Sequence, residues 1–136
     1  MENISDHISY EEAINSATAL RKKIDNTPSA ETLERMKVVA EVCFEPARKW
    51  YGKPLKVNSF YRSVDLNREV GGSATSQHCK GEAIDITAGS KAENKKLFDW
   101  MKANLLFDQL INEYDYTWIH VSFRLGDNRN QTLIVK

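Results

Sequence analysis

The sequence predicts an α+β fold in which N-terminal helices pack on a small antiparallel sheet. Three observations carry this. Apolar spacing of three and four residues makes the first third of the chain read as helical. Segments of strand-like composition with short connections follow, in the order that favours an α+β rather than an alternating α/β arrangement. The 136 residues suffice to bury a core without disulfide or metal staples, and length alone predicts one domain over 1–136.

Ser9, followed three residues later by Glu12, makes a capping box in which each side chain satisfies a free backbone N–H at a helix start. A helix over about Tyr10–Ile24 follows, with Ala13, Ala17, Leu20 and Ile24 on one stripe. Asn26-Thr27-Pro28 stops it and starts the next, because proline suits the first helical position. The second helix turns Leu33, Met36, Val39, Ala40, Cys43 and Phe44 inward and ends near Trp50, with Gly52 as its cap. Pro46 inside it predicts a kink or break. These elements form a helical part over about 9–52.

A second part, about 53–124, changes character. Lys56–Arg62 reads as a strand, Gly71–Ser76 as a loop and Glu82–Thr87 as a strand. Ser90 and Glu93 make another capping box, opening a helix to about Asn104. Phe107–Tyr114 and Thr117–Arg124 are the arms of a hairpin joined at Asp115-Tyr116. Thr132–Val135 closes the chain as a short strand.

Composition excludes several classes. Nineteen Lys+Arg balance nineteen Asp+Glu, which argues against nucleic acid or an anionic membrane surface as partner. At 41% hydrophobic and 28% charged residues the chain is that of a soluble globular protein. Cys43 and Cys79 are too few for a disulfide scaffold or a four-cysteine zinc site; Cys43 reads as core and Cys79 as packed or exposed. The acidic N-terminus lacks the apolar core of a secretory signal, and no apolar run approaches the ~20 residues of a membrane span. The expectation is a monomer, cytoplasmic as synthesised and not inserted in a membrane. There are three histidines, His7, His78 and His120, and His7 reads as a solvated terminal side chain.

Strand alternation singles out the other two. In Thr117–Phe123, Ile119, Val121 and Phe123 take one face, and Trp118, His120 and Ser122 the other. A face of Trp, His and Ser is the wall of a cleft rather than packing. In Glu82–Thr87, Ile84 and Ile86 face the core and Asp85 faces away, with His78 seven residues before it and Gly81 turning the chain between them. An aspartate within an apolar strand is costly unless its charge is satisfied. His78, Asp85 and His120 could converge on one cation; the bland alternative is a buried or loop role for each. Two imidazoles and a carboxylate suit Zn²⁺ and leave a fourth position for water, the catalytic arrangement. No G-x-S-x-G or H-E-x-x-H occurs, which excludes those serine and zinc hydrolase types.

Ser59-Phe-Tyr-Arg62-Ser63, Asn67, Gly71-Gly72-Ser73, Ser76-Gln-His78-Cys-Lys-Gly81-Glu-Ala83-Ile-Asp85-Ile86 and Trp118-Ile-His120-Val-Ser122-Phe123 together resemble the zinc D-Ala-D-Ala carboxypeptidase family. That family shares its fold with the L-Ala-D-Glu endopeptidases of bacterial and phage lysins and with the hedgehog signalling domain. The resemblance covers roughly 9–124 and is closest to compact phage- and prophage-type members. It implies that the sheet carries a zinc site, with His78, Asp85 and His120 as ligands. It also implies that Arg62 binds substrate and steadies the oxyanion, and that Ser76 and Gln77 line the substrate groove beside His78; Trp118, from its strand face, reads as a groove wall, the alternative being cover for the site. Many members place the general base at the position of Thr117; closer relatives carry a glutamate at the end of the preceding strand, and Glu113 fits. A two-residue turn at Asp115-Tyr116 pairs Glu113 with Trp118, on the face of His120, whereas Asp115 sits at the turn's tip as the weaker alternative.

The expected function is therefore a Zn²⁺-dependent peptidase acting on peptidoglycan peptides, as a D-Ala-D-Ala carboxypeptidase or a lysin-like stem-peptide endopeptidase, reaching the cell wall after release. The alternatives are a catalytically inactive zinc-containing binding domain of the same fold, or a dipeptidase on a non-wall substrate.

Overall fold

A computed structural model describes residues 2–136. Strands β1 (Lys56–Ser59), β2 (Ala83–Thr87), β3 (Gln109–Glu113), β4 (Trp118–Ser122) and β5 (Gln131–Val135) form one sheet in the order β1-β2-β4-β3-β5. Helices α1 (Tyr10–Ile14), α2 (Ala17–Lys22), α3 (Ala30–Val39), α4 (Glu45–Tyr51), α5 (Val64–Glu69) and α6 (Lys91–Asn104) accompany it. The architecture is α+β.

The core lies between the sheet and the helices. Met36, Val39 and Phe44 from the α3–α4 segment and Leu97 and Met101 from α6 join Ile84, Ile86, Leu110, Ile119 and Val121 of the sheet in one buried cluster. Each such side chain contributes roughly 1.5–3 kcal/mol of hydrophobic stabilisation. Trp50 of α4 stacks on Trp100 of α6 with centroids 5.1 Å apart, tying the two helices at their outer edge. Because side chains alternate along a strand, covering one face with helices leaves the other free to form a cleft.

The first predicted helix is broken in two. Ser9 and Glu12 do form the capping box, but the chain leaves the helix at Asn15, and the Ser16 side chain caps α2 by accepting from Ala19 N. Short polar side chains that bond nearby backbone compete with helix continuation. The break resets the phase, so Ala19 is buried while Leu20, placed on the inner stripe by unbroken periodicity, is 84% exposed.

Pro46 deforms the second helix without ending it. Between α3 and α4 the backbone widens into a π turn over Ala40–Phe44, where Glu45 N donates to Ala40 O. Proline has no N–H and crowds the carbonyl four residues before it, so a wider turn ahead of Pro46 relieves both problems. The inward stripe survives: Val39, Ala40, Cys43 and Phe44 are fully buried. Ser90 caps α6 at Glu93 N, but the Glu93 carboxylate accepts from Tyr51 OH at 2.9 Å, which ties α6 to α4.

The predicted strand Lys56–Arg62 stops at Ser59, and Ser63 then caps the short helix α5 through Leu66 N. At the hairpin, Asp115 and Tyr116 have φ of 53° and 63°. Positive φ at both central residues is the twist-matching two-residue turn of a hairpin. Asn112 Oδ1 supports it, accepting from Tyr116 N at 2.5 Å.

The sequence predicts an antiparallel sheet, but one edge departs from it: β5 runs parallel to β3, with Gln109 beside Gln131 and Glu113 beside Val135. The chain leaves β4 beside the start of β3, crosses that one strand end and turns back, so β5 is antiparallel to β4 and hence parallel to β3. Asp108 holds the crossing, its carbonyl accepting from Gln131 N at 3.0 Å and its carboxylate from Arg129 N at 2.8 Å. The N-terminal segment is also tied down, since His7 Nδ1 lies 2.6 Å from Glu45 Oε1 rather than standing free in solvent.

Candidate metal centre and cleft

The sheet register brings the site together. Asp85 on β2 stands opposite His120 on β4; Ile111 on β3 flanks His120 from the other side, and Glu113 pairs with Trp118. His78 reaches the same face from a 3₁₀ turn over Gln77–Lys80, capped by Ser76 Oγ, which accepts from His78 N at 3.2 Å. Gly81 ends that turn with φ +73°, and a Cβ there would lie 2.8 Å from Met36 Cγ, Thr32 Cγ2 and Thr32 O. Only glycine satisfies both the backbone angle and the close approach of α3.

The tautomer of His78 is determined by its surroundings. The ring is 2% exposed, and Nδ1 lies 2.7 Å from the carbonyl oxygen of Phe60. A carbonyl only accepts, so Nδ1 carries a proton and Nε2 is the nitrogen turned to Asp85, 3.3 Å from Oδ2; with a metal bound, Nε2 would present its lone pair. An N–H···O=C bond behind a free ring nitrogen is the outer-shell support typical of a metal-binding histidine. The backbone completes the brace, because Arg62 N donates to His78 O at 3.2 Å.

His120 Nδ1 lies 2.9 Å from Asp85 Oδ1, and the two imidazoles meet edge to face with centroids 5.2 Å apart. One ligand atom from each of His78, Asp85 and His120 falls within 4.8 Å of the others. Burial disfavours ionisation of Asp85, but the charges and hydrogen bonds of His78 and His120 outweigh it and hold the carboxyl well below the usual carboxylate range. Two nitrogen donors and an ionised carboxylate on three separate segments fit a divalent cation of the Zn²⁺ type, with a coordination position to spare.

This centre forms the floor of a cleft of about 840 Å³, lined also by Arg62, Ser76, Gln77, Glu113 and Trp118. Arg62 Nη2 reaches Ser76 Oγ at 3.4 Å, and its Nε is buried without a partner. Trp118 is held edge-on by Tyr114 at 5.0 Å, with its Nε1 likewise unpartnered. Burial pushes the half-buried Glu113 carboxyl upward, and the nearby Asp85 charge adds to that. Asp115 is outside the cleft, exposed at the turn with Lys91 Nζ 3.6 Å from its carboxylate. The Thr117 hydroxyl is spent on Tyr114 O at 2.6 Å.

Ser122 corrects the expected cleft face. It is fully buried, and its hydroxyl accepts from Gln109 N at 3.0 Å, which closes the start of β3 instead of lining the groove. Cys43 is buried with its thiol pushed up to about 12, and Cys79 is partly buried. Sequence reasoning passed over Arg124, Arg129 and the fully buried Asp108 that joins them. The available signal was a charged residue directly after Phe107 in an apolar strand start.

The family model of peptidase M15 matches residues 6–122. A 39-residue segment is 49% identical to the zinc D-Ala-D-Ala carboxypeptidase of Streptomyces albus G, covering 29% of this chain and 15% of that protein. The match thus spans well under two thirds of the relative's length. Among the described residues no helix is long and apolar enough to cross a membrane.

Proposed function

The chain belongs to the peptidase M15 family, and from that membership we propose that it is a zinc-dependent peptidase hydrolysing peptide bonds of peptidoglycan, as a D-Ala-D-Ala carboxypeptidase or a stem-peptide endopeptidase. One observation carries the proposal: donor atoms of His78, Asp85 and His120 converge within 4.8 Å on the floor of a cleft that Glu113 and Arg62 also line. Residues 1–136 would act as one domain and as a monomer.

His78 Nε2, His120 Nδ1 and the Asp85 carboxylate would hold Zn²⁺. When bound, the metal supplies a Lewis acid that acidifies water and polarises a carbonyl. Glu113, on the same sheet face two residues along β3 from the neighbour of His120, accepts the proton of the attacking water and returns it to the leaving amine. A carboxyl raised by burial is suited to both halves of that exchange. Arg62, held by Ser76, presents a fixed guanidinium to the substrate carboxylate or to the oxyanion that develops on attack. Ser76, Gln77 and Trp118 form the groove walls that orient the peptide.

The test is digestion of purified peptidoglycan by the zinc-loaded chain, with mass spectrometry of the muropeptides and zinc stoichiometry on the same sample. Loss of terminal D-Ala identifies a carboxypeptidase; cut stem peptides identify an endopeptidase. One zinc per chain with intact muropeptides would reject the catalytic reading in favour of a binding domain.

A further inference from the structure

The cleft walls are asymmetric in hydrogen-bonding character. Four buried side-chain nitrogens on them have no partner: Arg62 Nε, Gln77 Nε2, Trp118 Nε1 and Arg124 Nε. All are N–H donors, so an occupant that completes them must bring acceptors. Arg62 and Trp118 are absorbed by the proposed reaction centre, and Gln77 has so far only the part of a groove wall. Arg124 has none.

Arg124 lies at the far end of the cleft. β4 runs from Trp118 through His120 towards Arg124, so Glu113, paired with Trp118, and Arg124 lie on opposite sides of His120. Charge at that end does not balance. Fully buried Asp108 accepts from Arg129 Nη2 at 2.7 Å and Nε at 3.1 Å, and from Arg124 Nη2 at 3.4 Å. Two guanidinium groups therefore share one carboxylate, which leaves a net positive charge. Arg129 Nη2 also donates to Gln77 Oε1 at 3.4 Å, and the Gln77 side chain helps to hold the Asp108 carboxyl down, which places this amide on the same cluster. The Arg124 and Arg129 side chains are 36% and 48% exposed, so both reach the solvent of the cleft.

We propose that Arg124, Arg129 and Gln77, braced on Asp108, form a carboxylate-binding subsite that selects peptides carrying a second carboxylate away from the bond to be cut. The proposal rests on the peptidase reading and specifies its substrate class. Arg124 is four positions along the chain from His120, which at ~3.3 Å per residue is a span of at most ~13 Å. An extended peptide covers that span in at most about four residues, at ~3.3–3.6 Å each. The selected carboxylate is thus a side-chain or branch carboxyl within about four residues of the scissile bond, distinct from the group that Arg62 meets. A guanidinium fork recognises it with charge-assisted bonds, roughly twice as strong as those to a neutral amide.

The test uses a matched pair of stem-peptide analogues with a non-hydrolysable isostere at the scissile bond. They differ only in whether the internal carboxyl is free or amidated. Each is titrated calorimetrically into the zinc-loaded chain, and the free acid is expected to bind about ten- to a hundredfold tighter. Arg124→Gln, which leaves Asp108 paired with Arg129, is expected to reduce that ratio to about twofold at an unchanged melting temperature. Equal affinities in the wild-type chain, a comparison that needs no variant, would overturn the subsite; so would a ratio that Arg124→Gln leaves intact. Cleavable versions of both peptides report separately on catalysis. Discrimination without cleavage would support the subsite and reject the peptidase; cleavage without discrimination would overturn the subsite alone.

Discussion

Asp85 and His120 stand directly opposite one another on adjacent antiparallel strands, and His120 Nδ1 lies 2.9 Å from Asp85 Oδ1. Cross-strand partners are held in place by backbone hydrogen bonds on both sides, so this half of the centre is rigid before any ligand arrives. His120→Ala removes one of three donors while leaving the strand pairing intact. Zinc measured by mass spectrometry on the purified variant should fall well below one per chain. Full retention would reject the site as drawn.

Glu113 and Asp115 are separated by a single residue but point to different surroundings, one into the cleft and the other to Lys91. Glu113→Gln preserves shape and removes the basic oxygen. It should keep one zinc per chain and lower muropeptide turnover by about 10²–10⁴, the range of a general acid–base residue. Asp115→Asn should leave turnover within about twofold, since a solvated turn carboxylate contributes little beyond its screened charge. Undiminished turnover in Glu113→Gln would remove it from the mechanism.

Gly81 joins the His78 turn to β2 at a point where α3 presses on the backbone. Gly81→Ala must accept both a left-handed φ of +73° and contacts of 2.8 Å with Thr32 and Met36. Left-handed strain costs about 1–3 kcal/mol, and displacing packed neighbours adds about 1–3 kcal/mol. A urea titration should show a loss of at least about 2 kcal/mol, accompanied by weaker zinc binding because His78 shifts with the turn. A variant of wild-type stability would show that α3 yields more readily than its buried side chains indicate.

What could be read from residue order follows a physical division. The faces of β2 and β4 were legible because alternation is local: Ile84, Ile86, Ile119 and Val121 turn inward, which forces Asp85 and His120 outward together. The register of Glu113 with Trp118 followed from the length of the turn. Features set by chain segments meeting at a distance were not legible. Nothing near Asp108 announces Arg129, and nothing in Gln131–Val135 says that it lies beside β3 and runs parallel to it. The helix break at Asn15-Ser16 was misread for a different reason, because apolar spacing continues across it while the side chain of Ser16 caps a new helix.

Asp108 gives the fold a pH dependence of definite sign. Hydrogen bonds from Arg129, aided by its charge, outweigh the opposing effect of burial and hold the Asp108 carboxyl well below its ordinary value. A carboxyl depressed in the folded state contributes stability at pH values above its unfolded pKa of ~3.9 and loses it as pH falls towards the folded value. Asp108→Asn removes the charge and should cost about 2–3 kcal/mol at pH 7, below the ~3–5 kcal/mol of a fully buried pair because Arg129 is 48% exposed. Urea titrations at pH 7 and pH 3 provide the check. The wild-type advantage should be largest at pH 7 and shrink at pH 3, where the unfolded wild-type chain has taken up the proton that folding must expel. A gap that stays constant between the two pH values would mean that the carboxylate's charge does not hold the β4–β5 crossing, and that its shape alone suffices.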